Sequence, residues 1–278
     1  MRRGGSQEPP LRFILNRMWL NLAAVEDGLS TQFVGRRILY YTSTSSTMDV
    51  ARAEADADAV EGTVVLAEEQ TAGRGRFGRA WVSPAGKNVY VTIILRPTVE
   101  RLRQLGIITP IAVCLAIEET VSLQPQVKWP NDVLLSGRKV CGILIETEFS
   151  GGDPRYALIG PGINVNFDID PASEIAGIAT SIKQELGAEA SRESLLAAFL
   201  NHIEALYTAP DPRAVHEAWK SRLETLGRDI TLTFRDEAFT GQAEDVDDAG
   251  NLILRLPDGS LRTFEAGEVS LRPPSLSS

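Results

Sequence analysis

Between residues 73 and 79 three glycines alternate with three arginines, Gly73-Arg74-Gly75-Arg76-Phe77-Gly78-Arg79, and Trp81 follows two positions later. Glycine lets a backbone approach a ligand closely and change conformation. Arginine is permanently charged and can fork onto phosphate or carboxylate oxygens. In an otherwise acidic chain, the combination points to a loop that closes over an anion. Two nucleotide-binding patterns that share its glycines do not fit. The spacing matches Gly-x-Gly-x-x-Gly, but residues 79–84 run through Ser83-Pro84 towards a further strand and cannot open the helix a dinucleotide fold needs. Gly86-Lys87-Asn88 has neither the upstream glycine nor the Ser/Thr of a phosphate P-loop. On this segment alone, an RGG-like nucleic-acid contact or a solvated loop stays open as an alternative.

A second constellation is Lys128-Trp129-Pro130-Asn131-Asp132, followed by Gly137-Arg138-Lys139 and an apolar run from Val140 through Gly142 to Glu146. Each piece has a plain reading as a strand end or an exposed hairpin tip. Together they set a lysine and a carboxylate beside a glycine-containing strand. Lys139 could neutralise charge on a reacting carboxylate and phosphate, and Asp132 could orient an incoming amine or help hold a metal.

The elements that must position these residues follow from local pattern. Residues 37–42 and 63–67 read as short strands. Between them residues 49–59 form an alanine-rich helix with Ser46 or Thr47 as its N-cap. Residues 73–84 are a loop, 88–95 a strand, and 107–123 an apolar helix. Strands are expected at 127–129, 133–135 and 140–146, the last two joined by a turn at Ser136-Gly137-Arg138, and again at 156–163. Residues 191–207 and 213–223 are amphipathic helices. After Gly227 five short strands separated by Asp/Gly turns indicate a small antiparallel barrel. The expected organisation is a leader over residues 1–34, partly helical, a catalytic domain over 35–225, a barrel over 226–273 and a tail over 274–278.

Composition bounds the alternatives. The 278 residues carry a net charge of −9, which argues against a general nucleic-acid binder. No apolar run approaches a membrane span and no signal-peptide core is present, so the cytoplasm is the default location. Met18 is an alternative start. Cys114 and Cys141 lie in apolar runs and read as buried small hydrophobes, and two histidines, His202 and His216, read as helix residues outside the chemistry.

In order and spacing, residues 73–84 (GRGRFGRAWVSP), 128–132 (KWPND), 137–144 (GRKVCGIL) and 160–164 (GPGIN) resemble the biotin–protein ligases. The similarity runs from about Gly35 into the C-terminal strands, including Gly250-Asn251-Leu252 and Gly267-Glu268-Val269. It implies a mixed-sheet α/β domain of the class II synthetase and lipoate-ligase type followed by an SH3-like barrel. It also implies activation of biotin by ATP, with Mg²⁺, and transfer to a lysine of a biotin carboxyl carrier domain by a monomer or homodimer. By this resemblance Ser46, Thr47 and Gln70 contact the ureido ring of biotin, with Gly73, Arg74, Gly75, Arg76, Lys139 and Gly142 completing its site. Arg74, Arg76, Arg79, Trp81, Asn131, Lys139 and Asn164 lie at the nucleotide, and Lys139, Arg76 and Asp132 are the candidate catalytic residues. Met48 departs from the asparagine common in the family and cannot make its amide contacts. Lipoate or octanoate ligation on the same fold is the nearest rival. A biotin-sensing repressor is disfavoured, because a winged helix needs about 60 residues and fewer than 40 precede Ile38.

Overall fold

A computed structural model describes residues 19–271. The core of the molecule is a seven-stranded sheet made of β1 (Ile38–Tyr41), β2 (Val64–Ala67), β3 (Val89–Leu95), β4 (Gln126–Lys128), β5 (Asp132–Leu135), β6 (Arg138–Ser150) and β7 (Asp153–Ile163). Their order is β1-β2-β3-β7-β6-β5-β4. The β1–β2 pair is parallel and the other pairs are antiparallel.

The two faces of this sheet are covered differently, and the period of two along each strand sorts residues between them. On one face Val64, Leu66, Val91, Ile93, Leu95, Ala157, Ile159 and Ile163 join a large apolar core with α3 (Val99–Val121) and α5 (Arg192–Tyr207). On the other, Val65, Ile94 and Leu158 pack with Met48, Ala51 and Ala55 of the short α2 (Thr47–Asp56) in a smaller cluster. That helix covers only part of its face, and the remainder is left for the site.

Thr98 caps α3, whose observed start lies well before the 107 expected from the apolar pattern; the first two turns carry charged residues that mask the periodicity. By length and composition α3 could span a membrane, yet its residues from Leu105 to Ile117 are mostly buried in the core. Strand β3 is buried at every position, so its alternation separates two packed faces and not core from solvent. One short helix lay outside the sequence reading, α4 (Ile182–Leu186), while α1 (Leu22–Asp27) falls in the segment expected to be partly helical.

Residues 20–34 are held by buried carboxylates. The Leu20 N–H donates to Glu68, and the N–H groups of Gln32, Phe33 and Val34 donate to Glu204 on α5. Leu20, Val25 and Val34 join the main core. Residues 1–18, including the alternative start at Met18, lie outside the described residues, as do residues 272–278.

After α6 (Pro212–Lys220) the chain forms β8 (Asp229–Phe234), β9 (Glu237–Val246), β10 (Leu252–Arg255), β11 (Leu261–Phe264) and β12 (Glu268–Leu271). They make an antiparallel sheet in the order β11-β10-β9-β8-β12, the SH3-like barrel expected from the sequence. Its inward residues Ile230, Leu232, Ala243, Leu252, Leu254 and Phe264 are continuous with the main core. Trp129 fastens the junction: it is buried, its indole N–H donates to the Gly250 carbonyl at 2.9 Å and its backbone N–H to Thr225 Oγ1 at 3.0 Å. Cys114 and Cys141 are buried and free, and burial pushes the Cys114 thiol up to about 12, so neither is a nucleophile at neutral pH.

Candidate active site

A cavity of about 490 Å³ opens on the sheet face that α2 leaves uncovered. Its floor exists because three positions that point into it have no side chain. Gly142 on β6 pairs with Gly162 on β7, and Gly160 sits one inward position away on β7. A Cβ at Gly162 would stand 2.6 Å from Trp81 Nε1, at Gly160 2.7 Å from Met48 Sδ, and at Gly142 2.9 Å from Lys139 Nζ. The glycines therefore let Trp81, Met48 and Lys139 lie down on the sheet and shape the cavity.

One end is a compact hydroxyl–amide cluster. Ser46 caps α2, its Oγ accepting from the Met48 N–H at 3.3 Å. Thr47 donates twice to Gln70 Oε1, from its N–H at 2.9 Å and its hydroxyl at 3.1 Å. The Gln70 amide donates in turn to Ser83 Oγ at 3.1 Å. Ser46 and Thr47 are both buried, so this end presents fixed polar groups in a dry setting.

The other end is cationic. Lys139 Nζ lies 2.7 Å from Asp132 Oδ1 and 5.3 Å from the Trp81 ring centre. Asn131 donates to the Ile143 carbonyl at 2.9 Å and receives a hydrogen bond from the Arg76 guanidinium at 3.0 Å.

The glycine–arginine loop lies over the cavity. Its ends are zipped by Trp81 N–H to the Gly73 carbonyl at 2.9 Å, and its tip by Gly75 N–H to the Arg79 carbonyl at 2.8 Å. Phe77 and Gly78 both take positive φ, 57° and 71°, at the tip. Each arginine reaches a different wall. Arg74 pairs with Asp49 of α2 at 2.7 Å and approaches Glu146 at 3.7 Å. Arg76 also donates to the Gly267 carbonyl at 3.3 Å, and Arg79 pairs with Glu268 at the start of β12. The loop is thus tied to both the sheet and the barrel. Burial pushes the Arg76 guanidinium below its usual range against the opposing pull of Asp132 and Glu268. The Arg79 hydrogen bond holds Glu268 below the usual carboxylate range.

Every candidate named from the sequence lines this cavity except Gly73. Gly73 acts behind it: a Cβ there would meet the Trp81 carbonyl at 2.7 Å, so only glycine lets the two arms of the loop lie together. The sequence reading missed Gly160 and Gly162 as floor residues, Tyr90, and an apolar wall from Phe167, Ile175, Ile178 and Ala179. The period-two glycines in Gly-Pro-Gly were a usable signal for the floor. The wall lies in an irregular segment with no periodic pattern to reveal it.

A mixed sheet with a glycine floor, a polar pocket at one end, a cationic one at the other and an arginine-bearing loop tied to a barrel makes one elongated cavity suited to a ligand with a polar head and an anionic end. Residues 40–164 match the biotin/lipoate A/B protein ligase family, and residues 225–272 match the biotin protein ligase C-terminal domain. The chain is 34% identical over 253 residues to the bifunctional ligase/repressor BirA of Bacillus subtilis, covering 89% of this chain and 78% of that protein. It is 36% identical over 214 residues to the biotin--[acetyl-CoA-carboxylase] ligase of Paracoccus denitrificans, covering 74% of this chain and 88% of that one. Among solved structures it resembles the Aquifex aeolicus biotin protein ligase in complex with biotin and ATP, at 27% identity and TM-score 0.72, over 85% of this chain and 99% of that chain. The Leishmania major ligase in complex with biotinyl-5-AMP is similar at 27% identity and TM-score 0.57, over 83% and 99%. The chain belongs to the biotin/lipoate protein ligase family.

Proposed function

We propose that this protein is an ATP-dependent biotin–protein ligase that makes biotinyl-5′-AMP and passes the biotin to a lysine of a biotin carboxyl carrier domain in the cytoplasm. The observation that carries this reading is the polarity of this cavity: an amide–hydroxyl pocket at one end, Lys139 and the arginine loop at the other, and a glycine floor between. A carboxylate cannot acylate an amine at neutral pH because oxide is a very poor leaving group, so coupling to AMP must come first.

In the first step a biotin carboxylate oxygen attacks the α-phosphorus of ATP and the bond to pyrophosphate breaks. Ser46, Thr47 and Gln70 hold the ureido ring, with Gly73, Gly75 and Gly142 giving the backbone clearance around the acid. Lys139 and Arg76 neutralise charge at the joined carboxylate and phosphate, and Arg74 and Arg79 border the same anion. Trp81, Asn131 and Asn164 bound the nucleotide end. Met48 supplies an apolar floor under the ring, leaving its polar contacts to the hydroxyl–amide cluster. Magnesium enters as the counterion of the nucleotide substrate. Among the described residues no cluster of His, Cys, Asp or Glu forms a cage for it, and Asp132 and Glu268 are already ion-paired.

In the second step the acceptor amine attacks the acyl carbon, the bond to AMP breaks, and AMP leaves. A free lysine has a pKa of about 10.4 and must lose a proton first. Asp132 at the cavity wall is the group that positions the amine or takes that proton. Closing the loop keeps water from the anhydride between the steps.

The test is ATP–pyrophosphate exchange with biotin, lipoate and octanoate in parallel, followed by labelled-biotin transfer to a carrier domain. Biotin-dependent exchange and labelling are expected. Exchange driven by lipoate or octanoate instead would transfer the reading to the lipoyl branch, and no exchange with any acid would overturn it.

A further inference from the structure

Behind the nucleotide end of the cavity lies an amide relay that begins at a residue outside the cavity and reaches Lys139 through the cavity-lining Asn164. Asn88, just before β3, is fully buried and does not line the cavity. Its Oδ1 accepts from the Val165 N–H at 2.9 Å, which forces its Nδ2 towards Asn164, where it donates to Oδ1 at 3.3 Å. That bond fixes the Asn164 carboxamide in turn, and Asn164 Nδ2 donates to the Thr180 carbonyl at 3.1 Å. Thr180 N–H then donates to the Lys139 carbonyl at 2.8 Å, and Lys139 N–H to the Ile178 carbonyl at 2.8 Å. A backbone N–H can only donate, so each amide in the series has one polarity that satisfies its neighbours.

We propose that Asn88 is a positioning residue for adenylation, acting through Asn164 and Thr180 on the backbone of Lys139. The inference rests on the ligase reading given above. Within it Asn164 serves the nucleotide end as a clamp as well as a wall, because both ends of its carboxamide are bonded to protein. Removing the Asn88 side chain leaves Asn164 Oδ1 and the Val165 N–H without these partners and frees the Asn164 carboxamide to turn. The strand carrying Lys139 keeps its own bonds to Thr180 and Ile178, but the Thr180 segment that flanks it is held less firmly. The hydroxyl–amide pocket is built from α2 and Gln70, on other elements, and stays intact.

A displacement of about 1 Å at a reacting group costs on the order of 10²-fold in rate. Asn88→Ala and Asn88→Asp are therefore compared with wild type by melting temperature, biotin affinity, biotin-dependent pyrophosphate exchange and transfer from supplied biotinyl-adenylate. Asn88→Asp keeps the acceptor for Val165 but reverses the polarity facing Asn164. The expected result is exchange lowered by about 10- to 100-fold, with biotin affinity near wild type and transfer from supplied adenylate lowered far less. A folded variant with wild-type exchange overturns the proposal. So does an equal loss in all three functions, which a merely structural role would produce. If neither Asn88 variant folds, Asn88→Ser, which keeps a short polar side chain but cannot reach Asn164 Oδ1, is held to the same criteria. Wild-type exchange in the same experiment separates this outcome from failure of the ligase reading itself.

Discussion

Replacing Arg76 by glycine should turn a lid that retains its intermediate into one that leaks. The Arg76 guanidinium makes two hydrogen bonds that hold the loop down, to Asn131 Oδ1 at 3.0 Å and to the Gly267 carbonyl at 3.3 Å. Bonds from a charged donor contribute about 1.5–3 kcal/mol each when buried. Arg76 is only partly buried and the second bond is long, so about 1–3 kcal/mol for the pair is the appropriate scale. At 1.4 kcal/mol per factor of ten, the open fraction of the lid, and with it the escape rate of biotinyl-adenylate, should rise about 5- to 140-fold. The assay forms the adenylate from labelled biotin and ATP, then follows its release after a chase of unlabelled biotin. Arg79→Ala is the internal control. The Arg79 side chain is 64% exposed and pairs with a Glu268 that is 43% exposed, and such surface pairs contribute about 0.2–1 kcal/mol. It should leak at most about fivefold faster. Retention by Arg76→Gly equal to wild type would falsify the lid assignment, and equal leakage from both variants would show that burial is not what sets the latch.

Lys139→Ala removes the cation at the reacting end and should lower the rate of pyrophosphate exchange about 10²–10³-fold, with biotin binding affected less; an exchange rate within a fewfold of wild type refutes that role. Glu204→Ala leaves the N–H groups of Gln32, Phe33 and Val34 without their acceptor. At about 1 kcal/mol or more per unsatisfied donor, stability should fall by about 3 kcal/mol and the melting temperature by roughly 6–12 °C, measurable by calorimetry. Lys220 and Asp245 join α6 to the barrel at 2.7 Å. The Lys220 hydrogen bond lowers the Asp245 pKa, and the Asp245 hydrogen bond raises that of Lys220. The pair's contribution is therefore present between the two unfolded values, lost at the acid end as pH falls through the lowered Asp245 value, and lost at the alkaline end as it rises through the raised Lys220 value. Both groups are substantially exposed, so Asp245→Asn should cost under about 1 kcal/mol near neutral pH and flatten both the acid and the alkaline limb of a stability–pH curve, because Lys220 loses the partner that raises its pKa.

How much of this was legible in the sequence depends on whether a residue acts through its type or through its neighbours. Arg74, Arg76, Arg79 and Lys139 stand out by type, as charges set among glycines, and all four line the cavity, although the same pattern also fits a solvated loop or a hairpin tip. The strands of the sheet were found to within a few residues, since each carries enough apolar or β-branched positions to read alone. The N-cap followed from the same local chemistry as Ser46 or Thr47, and the structure places it at Ser46. The start of α3 did not, because its first two turns are polar and its cap, Thr98, precedes any apolar repeat. The packing of residues 20–34 was equally hidden: the groups that hold that segment, Glu68 and Glu204, are about 48 and 172 positions away in the chain.

The same distinction explains why the shape of the cavity was harder to read than its charged wall. Gly142, Gly160 and Gly162 carry no chemistry of their own, and each matters because Lys139, Met48 or Trp81 lies where its Cβ would be. Gly142 and Gly162 are cross-strand partners, so the space they open becomes apparent only once β6 and β7 are in register. A one-residue slip would turn Ile143 and Ile163 into the cavity and the glycines into the core, filling the site and voiding the packing at once. The register that buries Cys141, Ile143, Ile159 and Ile163 against the long helices is therefore the register that opens the cavity on the opposite face. Stability and access to the adenylate site are consequences of one strand pairing, and a substitution that loosens the β6–β7 hairpin should cost both together.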